Sequence, residues 1–272
     1  MNPTSKNIQL QYQGFLNTPL LWKQQLVCTL EQLELTEVSC QRLTDLHNPN
    51  IRLGKRVEQF VITSLEQDKN IRILSQNTQI NNKKITVGEL DCLLEKEGVP
   101  IHLEIIYKFY LYDASVGTKE LAHWIGPNRN DSLLKKLHKL RDKQLPLLFN
   151  EHTRPLLSNL GLKAKDFLQR VCFKAQLFVP YQQDVLFSLL NKECIQGFYV
   201  HFSALKQFSG CKFYIPSKID WLLEVQTQVS WMSYQHFYTK TTVLIEAKTA
   251  PLCWIKFPNG TSHKFFVVWW DL

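Results

Sequence analysis

The sequence predicts an α/β or α+β core over about residues 50–150. Three observations predict it. A helical spacing of apolar residues over 53–65 gives way to runs of strand character at 71–80, 85–95 and 100–112. A second helical pattern then follows from about Asp131 to Gln144. Hydrophobic residues make up 44% and charged residues 21% of the 272, which is globular usage and enough for a substantial core.

Residues 1–48 read as a helical segment, with Leu20, Leu21, Leu26, Val27, Leu30 and Leu33 at mixed three- and four-residue spacings. His47-Asn48-Pro49-Asn50 is a turn signal that ends it. In the next helix Leu53, Val57, Phe60, Val61 and Leu65 share one face. Glu97-Gly98 is a short turn that pairs the second and third strands as a hairpin. A loop with Gly126-Pro127-Asn128 precedes the basic helix, for which Asn130 or Asp131 could serve as N-cap. The core is thus placed at 49–150, with a C-terminal region over 151–272 packed on it. Strands are expected there at 168–179, 197–203, 211–215, 241–248 and 263–270. Of the 32 aromatics, 17 lie between Phe198 and Trp270. They could stack on bases, but a core or covered sheet is the favoured reading.

The net charge is +8 and the pI is near 9.0. A basic excess attracts polyanions, of which nucleic acid is the commonest, although many proteins of this charge have no such partner. No apolar run approaches the roughly 18–20 residues that cross a bilayer, so no membrane partner is expected. The first fifteen residues lack a basic stretch followed by an apolar core. Seven scattered Cys, with no C-x-x-C and no zinc spacing, fit reduced thiols in the cytoplasm. The P-loop, the G-x-G-x-x-G fingerprint and the G-x-S-x-G elbow are all missing from the sequence. The eight His are dispersed, and His102 and His123, which flank the region of interest, read as structural residues.

The informative stretch is Gly88-Glu89-Leu90-Asp91, followed by Glu104 in His102-Leu103-Glu104-Ile105-Ile106-Tyr107-Lys108. At period two, Leu103, Ile105, Tyr107, Phe109 and Leu111 line one face of the third strand, and Glu104, Ile106, Lys108 and Tyr110 line the other. The hairpin can bring Asp91 beside Glu104, with Lys108 projecting the same way. Two carboxylates in apolar strands repel unless a cation lies between them. Oxygen ligands of this kind suit Mg2+ or Mn2+. Such an ion can activate water against a phosphodiester, and a lysine can neutralise developing charge. An ion-paired hairpin facing water gives the same spacing, and the sequence leaves both readings open.

This arrangement, an Asp on one strand and a Glu with a Lys on the next, resembles the PD-(D/E)XK nuclease superfamily. The resemblance implies a restriction-endonuclease-like core, a central mixed sheet flanked by helices. It implies Asp91 and Glu104 as metal ligands, Lys108 as the catalytic lysine and Glu58 as the acid of the preceding helix. The superfamily lysine stands two residues after the Glu, where this chain has Ile106; Lys108 lies four after it, roughly 6–7 Å farther along the strand. A narrower resemblance covers most of the chain. Arg52 to Glu58, Gly88 to Asp91, Glu104 to Leu111 and Gly126 to Asp131 resemble the uncharacterised bacterial family labelled domain of unknown function 1853. That family is assigned the same fold and carries its lysine at the same displaced position. Gln144 falls on the apolar stripe of Leu133, Leu137 and Leu140, and a RecB-like branch of the superfamily implies a site role for it. The Tyr which that branch carries four residues later is Leu148 here. The same helix carries six Lys/Arg and two Asp from Arg129 to Pro146 and could contact phosphates. Glu246-Ala247-Lys248 is a literal Glu-x-Lys with no matching acidic strand upstream, and reads as a chance match. The expectation is a metal-dependent nuclease acting on DNA. The alternative is an inactive nuclease fold that serves as a nucleic-acid-binding or protein-interaction module. An ion-paired hairpin in a protein of another function is the third.

Overall fold

A computed structural model describes residues 3–35 and 51–270. Within them β1 (Ile71–Asn82), β2 (Ile85–Lys96) and β3 (Val99–Tyr112) form an antiparallel meander. Glu97 and Gly98 both take positive φ, 52° and 81°, as a tight two-residue hairpin turn requires. The two residues of β4 (Trp124–Ile125) pair with the end of β3. The remaining long strand, β5 (Leu168–Pro180), lies parallel to β3 over eleven residue pairs, Ile101↔Leu168 to Leu111↔Phe178. Then come β6 (Ile195–His201), β7 (Lys212–Tyr214), β8 (Leu252–Lys256) and β9 (Ser262–Val268). All join one mixed sheet in the order β1-β2-β3-β5-β6-β9-β8-β7, with β4 off this path beside β3.

Helices cover the sheet. The first, α1 (Pro3–Asn17), and α2 (Leu53–Glu66) pack on one face, where Tyr12, Phe15, Phe60 and Val61 meet Leu103, Tyr107 and Phe109. On the other face α3 (Leu133–Lys139) presents Leu133 and Leu137 to Ile106, Tyr110 and Phe173. A short α4 (Arg154–Asn159) adds Leu157 to a small cluster with Ile80, Leu90, Leu147 and Leu148. The last, α5 (Tyr234–Glu246), seats Phe237 against Phe213 and Phe265. The C-terminal aromatics are mostly core: Phe208, Phe213, Phe237, Trp254, Phe265 and Phe266 are all buried.

Three local expectations change. The N-terminal helical reading holds only to Asn17, because Pro19 cannot continue a helix. Residues 20–33 instead lie as an irregular segment beside the first half of β5, with Leu21 N–H to the Phe173 carbonyl at 2.8 Å, a tight turn closed by reciprocal Val27–Leu30 backbone bonds, and Leu33 N–H to the Val171 carbonyl at 2.8 Å. Residues 36–50, with the turn expected at 47–50, lie outside the described residues. The segment 241–248, read as a strand from its β-branched residues, belongs to α5 as far as Glu246. Ser233 caps that helix by accepting the His236 N–H, and Phe237 and Thr241, one turn apart, face inward. Tertiary packing of that stripe outweighs strand propensity. The N-cap of α3 is Ser132, one residue beyond the expected position, and its hydroxyl accepts the Lys135 N–H at 3.2 Å. No expectation covered β8.

Candidate active site

The β2–β3 ladder runs from Lys96↔Val99 to Cys92↔Leu103. Asp91 and Glu104 are the next residues along, and there the strands fork. Beyond that point β2 stays with β1, while β3 stays with β5. The Asp91 side chain replaces the missing backbone partner: its Oδ2 accepts the Ile105 N–H at 2.9 Å. The fork leaves the two carboxylates as neighbours at its mouth.

Glu104 is fully buried and held at both oxygens. His102, two residues before it on the same face, places Nε2 at 3.2 Å from Oε1. Gln144 donates its amide to Oε2. Burial pushes the His102 imidazole down to about 4, so it is neutral. The Gln169 amide lies 3.4 Å from its Nδ1. The tautomer that satisfies both contacts carries its hydrogen on Nε2 and donates to Glu104.

The electrostatics follow from burial. Burial, then the charge of Glu104, pushes Asp91 up to about 7. Burial pushes Glu104 up to about 7 against the opposing charge of Lys136. Glu58, on α2, is also raised by burial, and the charge of Asp91 adds to this against the pull of Lys55. Lys55 Nζ lies 2.7 Å from Glu58, bonds Glu89, and reaches Asn77 at 3.1 Å. Three acids on three elements therefore act on one another across the fork.

The lysine that answers them is Lys136. Its Nζ donates to Gln144 Oε1 at 2.7 Å, which ties it to Glu104 through one amide. Burial pushes its amine down to about 8, opposed first by Glu104 and more weakly by Asp91. The backbone explains the pairing. After α3 the helix widens into a π turn over Leu140–Gln144. One α turn of 3.6 residues plus one π turn of about 4.4 makes eight, so Lys136 and Gln144 stand on one face two turns apart. Lys108 is placed elsewhere. Its Nζ pairs with Asp131 at 2.6 Å, and among the described residues no carboxylate of the fork bonds it.

A cavity of about 440 Å³ opens beside the fork, lined by Gly54, Ile106, Lys108, Asp131, Lys136, Lys218 and Trp221 among others. Three lysines against one aspartate make it suited to an anion. Among the described residues no three His, Cys, Asp or Glu side chains converge at metal-ligand spacing. The fork offers two carboxylates, which is the number Mg2+ commonly takes from protein while water and phosphate oxygens fill the rest.

Sequence reasoning thus placed Asp91, Glu104, Glu58 and Gln144 in one neighbourhood, and the structure brings these four together. It missed Lys136 and the bond from His102. A signal for Lys136 was present: it stands three after Leu133 and four before Leu140, a lysine on an apolar stripe.

No curated protein and no solved structure matches the chain. Residues 8–268 match the family described as Domain of unknown function (DUF1853), and the chain belongs to that family.

Proposed function

We propose that this protein hydrolyses phosphodiester bonds in DNA with the help of Mg2+ or Mn2+, on a restriction-endonuclease-like core formed by α2, the β1–β2–β3 meander, α3 and β5. The observation that carries the reading is the fork: a buried carboxylate, Glu104, and a half-buried one, Asp91, set side by side, with a lysine and an anion-suited cavity beside them. Folding alone gains nothing from adjacent like charges in an apolar sheet. A cluster of this kind in a cleft marks chemistry.

Asp91 and Glu104 would hold the ion, since a divalent cation favours the ionised form of both. When bound, it would supply positive charge to the attacked phosphate and acidify a water. His102 and Gln144 fix the Glu104 carboxylate in one orientation. Lys136, with its amine brought near neutral pH, holds or moves a proton beside the attacked phosphate and neutralises developing charge there. Lys108 and Lys218 hold flanking phosphates along the cavity wall. Glu58 holds Lys55 at the α2 side of the fork.

The test is cleavage of labelled single- and double-stranded DNA with Mg2+, with Mn2+ and with chelator. Wild type is run beside Asp91→Asn, which keeps the acceptor for Ile105 N–H. Metal-dependent cutting lost in the variant supports the reading. DNA binding without cutting under any condition overturns it in favour of an inactive binding module.

A further inference from the structure

Past the fork, β1 and β2 leave the rest of the sheet as a two-stranded ribbon. Among the described residues no other strand pairs with β2 from Ile85 to Asp91, and β1 is the sheet edge. Every residue from Asn81 to Val87 is exposed. One ribbon face is anchored at its root, where Ile80 and Leu90 pack on Leu147 and Leu148. The opposite face continues outward from the acids. Gln79 pairs directly with Glu89, and Asn81 lies two residues farther along β1 on the same face. Asn77, held by Lys55, joins them there. All three side chains are carboxamides on exposed residues. From Ser75 to Gly88 the ribbon holds no acidic residue, and its tip is Lys83-Lys84. Lys83 takes φ 55°, so the tip keeps a lysine at a position that favours glycine. An irregularity between Ile80 and Asn81 bends the tip.

We propose that this ribbon enters the major groove of duplex DNA and sets the protein's substrate as double-stranded DNA. A B-form major groove admits a two-stranded β-ribbon, and Asn and Gln side chains there pair with base edges, adenine above all. The lysine tip meets the phosphates. It lies roughly 23 Å from Asp91 at about 3.3 Å per residue, so groove contact and fork engage different parts of one duplex. Duplex RNA, whose major groove is deep and narrow, does not accept the ribbon. The inference rests on the phosphodiesterase reading for its orientation, and binding measured in chelator separates its failure from the failure of that reading.

The experiment measures fluorescence anisotropy of full-length protein in chelator, with duplex DNA, duplex RNA and single-stranded DNA of one sequence. The variants are Gln79→Ala/Asn81→Ala and Lys83→Ala/Lys84→Ala, with Lys84→Ala alone as a milder change at the tip. The expected result is preference for duplex DNA and a loss of about tenfold in the amide variant. In the double lysine variant the log–log salt slope falls by about 1.8. Duplex DNA binding unchanged in affinity and salt slope in all three variants, while wild type still cuts, overturns the ribbon alone. Tighter binding of duplex RNA or of single strands than of duplex DNA also overturns it. Ribbon-dependent binding with no cleavage keeps the ribbon and overturns the phosphodiesterase. No binding of any nucleic acid by wild type overturns both.

Discussion

The sheet buries ionisable groups in two places that are built in opposite ways. Beneath α1, Lys264 donates to Gln176 Oε1 at 2.9 Å and to the Trp221 carbonyl at 3.3 Å. Gln176 donates onward to the Tyr107 hydroxyl at 2.8 Å, which shares a 2.7 Å bond with Thr18. Lys174 donates to the carbonyls of Phe15 and Leu16. Each lysine there bonds neutral acceptors. At the fork, by contrast, Asp91, Glu104 and Glu58 repel one another, opposed by the charges of Lys136 and Lys55. Both regions are hydrogen-bonded, so satisfaction of polar groups does not tell them apart. Concentration of like charge does. A network that only supports the fold spreads its polar groups among neutral partners, whereas a site keeps charges together at a cost in stability that a ligand removes.

Four measurements break or sharpen this contrast, the first three in descending size of effect. Lys136→Met should lower cleavage by about 10²–10³-fold, with Lys108→Met losing far less because its amine is engaged by Asp131. Equal losses would return the displaced strand lysine to the chemistry. Gln176→Ala should leave DNA binding unchanged but destabilise the fold by about 2 kcal/mol, since it leaves Lys264 and Tyr107 short of a partner. Urea unfolding reads this directly. Asp91→Asn should act with the opposite sign. In chelator above neutral pH it removes a carboxylate that burial and Glu104 make costly to ionise, and stability should rise by about 1 kcal/mol. A fall of that size would show that the acids are structural.

The fourth measurement reads a pH dependence and concerns Lys264. Burial pushes its amine from 10.5 down to about 7, opposed by Glu224. Between those values the unfolded chain carries a proton that the folded chain lacks, so this group makes stability rise with pH across that window. Lys264→Met should flatten the rise, as urea midpoints at roughly pH 7.5 and 9.5 would record. An unchanged slope would mean that Lys264 stays protonated inside.

The sequence by itself determined the parts that rest on local pattern. The meander is legible because alternation and a left-handed Glu97-Gly98 turn are short-range facts. The facing of Asp91 and Glu104 follows from the same hairpin register. α2 is legible because its apolar face repeats at helical spacing. The tertiary structure decided the rest. Residues 20–33 are not helical because β5 offers them backbone partners more than a hundred residues away. β-branched 241–246 is helical because Phe237 and Thr241 had an aromatic core to fill. The fork opens because β3 exchanges β2 for β5, a choice between distant partners that no spacing encodes. Lys136 reaches the acids only because a π turn brings Gln144 round to its face. Local pattern sets which face a residue occupies; long-range pairing sets what that face meets, and it is the second that assembles a site.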